Sequence, residues 1–319
     1  MRILGFILLG GCLGTPATET PFDTSSETDT ETDTETDTET DTETDTDTDD
    51  APPLEPNHFG TTGGHSVTMN TGEIRLSTGC DMAYTQYQPD GAESPVFVIL
   101  AHGFARGQEQ MLGWGEHWAS WGLEVFTPRL CHASIWDTDH AQNGDDLAAF
   151  AKEIQAMAAA RPIIYAGHSA GGLAAMLAGQ QDSDAVAILG LDPVDSNDMG
   201  TDTASSVTIP VGTLMGIPSS CNADQNGTNM VRGVPNHQSF LVTDADHCDF
   251  ENPTNGMCTA FCSNNSASQT DSEIGDVITL MSTAWLRWHS GLEKPAARWW
   301  DPADPFFSAY FTDNSLTEL

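Results

Sequence analysis

A serine between glycines stands out in the segment PIIYAGHSAGGLAAMLAG, residues 162–179. Gly167, Ser169 and Gly171 form a G-x-S-x-G pattern that joins an apolar β-type run to an alanine-rich helical pattern. Glycines at such a joint allow a tight turn that exposes the serine above the end of the strand. Glycine and serine also occur in ordinary turns, so the strand before and the helix after carry the argument. Ser169 is therefore predicted to be a nucleophile, which needs a base beside it.

The base is expected to be a histidine late in the chain. His247 follows the run SFLVTDAD and precedes a loop, which predicts a position at the carboxyl end of a strand. In open parallel sheets, sites lie at that end of the strands. His237 precedes the same run and is expected at the opposite end. His168 is expected to pack beneath the serine turn, and His289 is expected to be structural. We predict that His247 takes the serine proton.

An aspartate should orient the imidazole and stabilise its positive charge. Asp192 ends the apolar part of ILGLDPVD, and the proline after it stops the strand. Asp-Pro also initiates ordinary turns. Asp195 and Asp224 are the alternative acids, and we predict that Asp192 completes a catalytic triad.

The charge that forms on a tetrahedral intermediate needs N–H donors already in place. The amide of Ala170, directly after the serine, and the amide of Phe104, in the loop of ILAHGFARG, are predicted to form this oxyanion hole. His102 is expected to support that loop. These parts suit acyl transfer through an acyl-enzyme, to water or to another acceptor, and they require no metal or organic cofactor.

The elements that must position these residues alternate between β and α patterns from about residue 58. Runs that are apolar almost throughout indicate strands covered on both faces, as in a parallel sheet. The pattern predicts an α/β domain with a mostly parallel, doubly wound sheet flanked by helices. The predicted strands are 95–103, 123–130, 162–169, 185–193, 207–216 and 238–247, with an edge hairpin at 73–89, and the predicted helices are near 108–121, 143–160, 170–180 and 272–291.

Over about residues 92–292 the sequence resembles the α/β-hydrolases, in particular their chlorophyllase-like branch. AGHSAGG is similar to the GHSRGG elbow of that branch, LGLDPVD to its IDPV segment, and NHQSFLVTDADHCDF to its histidine segment. VILAHGF looks like its oxyanion segment. The resemblance implies an α/β-hydrolase fold and ester hydrolysis, with Asp192 as the acid. Ala170 departs from the arginine of the branch. Cutinase-like polyester hydrolases and platelet-activating-factor acetylhydrolases share the architecture. The resemblance therefore implies a small-molecule or polymeric ester as the expected substrate.

The N-terminal residues differ from the rest of the chain. Residues 1–12, MRILGFILLGGC, read as an export signal whose end looks like a bacterial lipobox, with Cys12 as the lipid-attachment residue. A plain secretory signal is the alternative. The run from 26 to 50 alternates Asp or Glu with Thr and contains no apolar residue, so residues 13–57 are predicted to form a disordered tether. An acidic interaction tail and a weak calcium-binding tract are the alternatives. Residues 58–319 are the predicted catalytic domain.

The chain is strongly acidic, with 47 Asp and Glu against ten Lys and Arg, and only fifteen of the acids lie in residues 19–50. This balance argues against nucleic-acid binding, which needs clustered basic side chains. The aromatic segment ARWWDPADPFFSAYF is expected to pack against the body of the domain, and a cover over the site is the alternative.

Six cysteines besides Cys12 form an even set that predicts three disulfides outside the cytoplasm, with the pairing left open: Cys80, Cys131, Cys221, Cys248, Cys258 and Cys262. Zinc at the last three with His247 is the alternative, although the spacing matches no common zinc pattern. We therefore expect an exported, monomeric ester hydrolase held at a membrane by its lipid alone. A non-catalytic binding protein of the cell envelope is the rival hypothesis.

Overall fold

The computed structural model describes residues 58–263, 266–312 and 314–319, so the predictions for the signal, for Cys12 and for the tether lie outside the described residues. A sheet of nine strands forms the centre of the described part. Its strands are β1 (Val67–Arg75), β2 (Asp81–Pro89), β3 (Phe97–Ala101), β4 (Glu124–Pro128), β7 (Ile163–His168), β8 (Ala185–Leu191), β9 (Val211–Met215), β10 (His237–Val242) and β11 (Leu316–Glu318). A separate hairpin consists of β5 (Ala133–Ser134) and β6 (Asp137–Thr138).

The strand order in the sheet is β1-β2-β4-β3-β7-β8-β9-β10-β11. The six strands from β4 to β10 in this order pair in parallel, whereas β1, β2 and β11 pair antiparallel at the edges. The chain leaves β3 for β4 on one side and then crosses to β7 on the other side. The prediction of a mixed α/β domain with a large, mostly parallel sheet is confirmed.

Eight α-helices flank the sheet within the described residues. They are α1 (Leu112–Ser120), α2 (His140–Met157), α3 (Ala170–Gln181), α4 (Met199–Thr203), α5 (Gly227–Arg232), α6 (Gly256–Cys262), α7 (Asp271–His289) and α8 (Pro305–Tyr310). Side chains fix several helix starts. The Asp139 carboxylate accepts from the Gln142 amide before α2, and Thr270 forms a capping box with Glu273 before α7.

Alternation along the central strands divides the core into two layers. In β3, Val98 and Leu100 face the layer built by α1 and α7, whereas Phe97 and Ile99 face the layer built by α2 and α3. Both faces are covered, which explains why the strand is apolar throughout. The C-terminal aromatic segment packs as expected, since its two tryptophans are fully buried in the α1 and α7 layer.

Several predicted boundaries were wrong. The strand predicted over 238–247 ends at Val242, so His247 lies in the loop beyond it. The helix predicted over 108–121 begins as a 3-10 turn at Gln108–Met111. The edge hairpin is longer than predicted because its first strand starts at Val67. The sequence analysis did not predict β11 or the short helices α4, α5, α6 and α8, which are too brief for a periodic pattern to appear.

All six predicted disulfide cysteines are paired, as Cys80–Cys131, Cys221–Cys262 and Cys248–Cys258. Within the described ranges, none of the helices combines the length and the apolar character that crossing a bilayer requires.

Candidate active site

Ser169 occupies a strained turn between β7 and α3. Its φ of 57° and ψ of −127° lie outside the regions that residues with side chains normally adopt. A Cβ on Gly167 would lie 2.1 Å from the carbonyl oxygen of Gly171, and a Cβ on Gly171 would lie 2.5 Å from the carbonyl oxygen of Ala101. The glycines of the motif are therefore needed for close approach of the backbone, and the prediction of a tight serine turn is correct.

His247 and Asp192 are in direct contact. The Nδ1 atom of His247 lies 2.6 Å from Oδ2 of Asp192. Asp192 is fully buried, and its carboxylate also accepts from the Gly216 amide at 2.9 Å and from the Asn222 side-chain amide at 3.1 Å. A carboxylate oxygen can only accept a hydrogen bond, so Nδ1 of His247 is the donor and carries the proton in this pair. The other ring nitrogen, Nε2, is then the one able to accept a proton.

A cavity of about 240 Å³ joins the serine to the histidine, because Ser169 and His247 both line it. Phe104 lines the cavity from the loop after β3, and a Cβ on Gly103 would lie 2.9 Å from the Cβ of Ser169. The structure thus brings together the serine, the histidine, the aspartate and the loop that the sequence analysis selected.

Of the two predicted oxyanion donors, Phe104 lines this cavity and Ala170 directly follows Ser169, which lines it. Ala170 is the first residue of α3, where backbone N–H groups have no partner within the helix. The next two amides of the Phe104 loop already have backbone acceptors. Ala105 donates to the Ala133 carbonyl at 2.6 Å, and Arg106 donates to the Gly103 carbonyl at 3.3 Å. Among the residues that the structure describes, the Phe104 amide has no backbone acceptor. Both donors are therefore available to a bound substrate.

His102 supports the Phe104 loop, as predicted. Its buried ring contacts the Gly103 carbonyl through Nδ1 at 2.9 Å and accepts from the Leu130 amide through Nε2 at 3.0 Å. Burial lowers the pKa of His102 to about 4. The ring is therefore neutral, with its proton on Nδ1.

His168 lies closer to the reactive residues than its predicted place beneath the turn suggested. Its Nε2 donates to the His247 carbonyl at 3.0 Å, and the two imidazole rings are 4.5 Å apart between centroids. Burial, followed by the charge of His247, holds the pKa of His168 well below its usual value. His168 is thus a neutral support for the backbone of the histidine loop.

Sequence reasoning missed two supports of the site. Asn222 is fully buried, donates to Asp192, and accepts from the Ser219 and Gln225 amides at 2.8 Å and 3.0 Å. It lies in the loop after β9, where sites of this kind usually carry the triad acid. An amide side chain was therefore not expected to matter there.

The second missed support is an ion pair between Arg106 and Glu251. It joins the loop that carries Phe104 to the loop that carries His247, with two contacts of 2.5 Å, and the Glu251 side chain is fully buried. No local pattern indicates this pair, because its members are far apart in the sequence.

The alternative residues have other roles. The Asp195 carboxylate accepts from the Gly200 and Thr201 amides at the start of α4, and Asp224 is exposed. His237 begins β10, at the end of the strand away from the cavity. His289 ends α7, where burial lowers its pKa to about 4. Of these aspartates, Asp192 is the one that contacts His247.

Comparison with known proteins finds no protein family whose model matches this chain and no curated protein that matches it.

Proposed function

We propose that this protein is an exported serine hydrolase with an α/β-hydrolase fold that cleaves carboxylic esters. One observation carries the proposal. His247 donates to the buried carboxylate of Asp192 at 2.6 Å and faces the same cavity as Ser169, which sits in a strained turn. A serine needs a neighbouring base to become a nucleophile, and an oriented imidazole is the usual base.

The first half-reaction forms an acyl-enzyme. The Ser169 oxygen attacks the ester carbonyl carbon while Nε2 of His247 takes the hydroxyl proton. The carbonyl oxygen becomes an oxyanion, to which the Phe104 and Ala170 amides donate. When the tetrahedral intermediate collapses, the bond to the alcohol breaks, and the alcohol leaves with the proton from His247. Asp192 keeps the imidazole in place and stabilises its charge throughout.

The second half-reaction releases the acid. Water gives a proton to His247 and attacks the acyl carbon, and collapse of the second tetrahedral intermediate returns that proton to Ser169. Transfer of the acyl group to another acceptor would follow the same path, with the acceptor in place of water. The residues of this site supply every proton transfer and both oxyanion donors that these steps need.

Sequence motifs support the choice of family. The order Ser169, Asp192, His247 along the chain is that of the α/β-hydrolases, as is the placement of the serine between a strand and a helix. The resemblance to the chlorophyllase-like branch favours esters of that general kind, with cutinase-like polyester hydrolysis and lipase-like activity as alternatives. The three disulfides favour an exported protein, since such bonds persist in oxidising compartments.

The test is ester hydrolysis by the full chain, with Ser169→Ala as the matched variant. The panel comprises a short p-nitrophenyl ester, a long-chain ester, a polyester film and chlorophyll. Removal of the nucleophile should lower kcat by about 10⁴-fold or more. A fluorophosphonate should label the wild-type protein and not the variant.

Equal rates for the two proteins, or no turnover together with no labelling, would refute the proposal. That result would favour the rival hypothesis, a binding protein of the cell envelope. Turnover that appears only when a second alcohol or amine is supplied would identify acyl transfer to an acceptor other than water.

A further inference from the structure

The short helix α6 forms one wall of the cavity that holds Ser169. Met257, Cys258, Phe261 and Cys262 all line this cavity. Residues four apart share a face of a helix, so the two cysteines form one stripe and Met257 and Phe261 form the adjacent stripe. The cysteines attach the helix to the body of the domain, and the apolar pair is left beside the opening.

Core packing does not hold α6 in place. Among its seven residues only Cys258 is buried. The helix is instead attached by two disulfides, Cys248–Cys258 and Cys221–Cys262. A helix this short is not stable by itself, so the covalent links account for its fixed position.

Both disulfides connect α6 to segments that carry the site. Cys248 follows His247 directly, and Cys221 precedes Asn222, whose side chain donates to Asp192. The position of α6 is therefore coupled to the residues that orient the imidazole. This is the arrangement expected of a wall that must keep a set distance from the reacting serine.

The apolar stripe of α6 is unusually exposed for side chains of its kind. Met257 is 62% exposed and Phe261 is 80% exposed, and Phe104, which also lines the cavity, is 39% exposed. The two charged residues of the cavity, Arg106 and Glu251, are paired with each other. A ligand thus meets exposed apolar side chains from α6 and from the loop after β3, and the described residues of the lining present no unpaired charge. Covering such surface is favourable in proportion to its area.

We propose that α6 is a disulfide-fixed wall for substrate recognition, and that Met257 and Phe261 contact an uncharged alkyl chain of several carbons on the ester. The inference rests on the proposed esterase function and adds the class of substrate. It predicts that kcat/KM rises with the length of the alkyl chain because the chain covers the apolar stripe.

The experiment measures kcat/KM of the full chain on two series of esters. One series runs from p-nitrophenyl acetate to p-nitrophenyl octanoate, and the other from ethyl acetate to octyl acetate. The test variant is Met257→Ser with Phe261→Ser. Its matched control is Met157→Ser, because Met157 is 61% exposed at the end of α2 and does not line the cavity.

In at least one series, the ratio of kcat/KM for the longest ester to that for the shortest should fall about tenfold in the test variant. The control variant should keep the wild-type ratio. A wild-type enzyme without preference for longer chains, or a test variant with an unchanged ratio, would refute the proposed role of α6 in substrate recognition. Absence of turnover for every ester, with no labelling of Ser169, refutes the proposed function itself and the wall with it.

A second arm tests the covalent attachment. Cys221→Ala with Cys262→Ala leaves α6 attached at Cys258 alone, and the same ratio should fall. Cys80→Ala with Cys131→Ala removes a disulfide that does not line the cavity, and the ratio should not change. If the Cys221→Ala, Cys262→Ala variant does not fold, the Met257→Ser, Phe261→Ser variant decides the outcome, because the exposed positions 257 and 261 contribute little to the core.

Discussion

Replacement of Asp192 by asparagine tests the assignment of the triad acid. The two carboxylate oxygens of Asp192 accept from three donors: the Gly216 amide at 2.9 Å, the Asn222 side-chain amide at 3.1 Å and Nδ1 of His247 at 2.6 Å. Asparagine has the same shape but only one acceptor oxygen, and its NH₂ group can only donate. In either orientation of the side chain, this NH₂ group faces at least one donor.

The size of the effect follows from the two orientations. With the NH₂ group toward His247, the ring must accept at Nδ1, so its proton moves to Nε2 and the serine loses its base. With the NH₂ group in the place of Oδ1, the buried Gly216 amide loses its acceptor, at a cost of about 1–3 kcal/mol. A triad histidine in the wrong tautomer lowers kcat by about 10⁴-fold, which corresponds to about 5 kcal/mol in the barrier.

The assay compares kcat on p-nitrophenyl acetate and the rate of fluorophosphonate labelling for wild type and Asp192→Asn. Circular dichroism establishes that both proteins are folded. Asp224→Asn is the control, because it makes the same chemical change at an exposed position. A folded Asp192→Asn protein that keeps more than about a tenth of the wild-type kcat would refute the assignment, since loss of the acid should cost far more.

Three further predictions concern the supports of the site. Asn222→Ala removes a donor to the buried carboxylate of Asp192 and should lower kcat on p-nitrophenyl acetate about tenfold, because a hydrogen bond to a charged group is worth about 1.5–3 kcal/mol. An unchanged kcat would exclude a positioning role for Asn222. Glu251→Gln leaves the Arg106 charge without its partner and should lower the unfolding free energy in urea by about 3 kcal/mol, whereas an equally stable variant would show that the pair does not join the two loops. The pKa of His102 in the folded protein is about 4, below its ordinary value of 6.5. The stability that the neutral His102 ring contributes is therefore fully present above pH 6.5 and is lost as the pH falls toward 4. The total loss should be about 3 kcal/mol. Urea denaturation of wild type and His102→Gln across this range should show a steeper loss in the wild type, and parallel curves would contradict the buried neutral ring.

The sequence by itself determined the parts of the site that depend on neighbours along the chain. The turn at Ser169 is local, because Gly167 and Gly171 are two residues away and leave the space that the backbone needs. Continuous apolar runs such as β3 and β7 indicated strands covered on both faces. Asp192 and His247 could then be selected because parallel strands direct their carboxyl ends to one edge of the sheet.

Strand ends were less certain than strand centres. The strand predicted over 238–247 includes the polar residues Thr243 and Asp244, whereas β10 stops at Val242. The loop that follows gives His247 its direction toward Asp192. No periodicity describes that loop, so the sequence placed the histidine at the correct edge without giving its contact.

Only the tertiary structure decided which distant side chains meet. Six cysteines allow fifteen pairings, and the fold selects the three that bring their Cα atoms within disulfide distance. Asn222 reaches Asp192 across 30 positions, and Arg106 reaches Glu251 across 145. Such contacts depend on how separate loops pack at the sheet edge, which no local pattern encodes. The position of α6 belongs to the same class, since the Cys221–Cys262 disulfide links this helix to the loop after β9 across 41 positions.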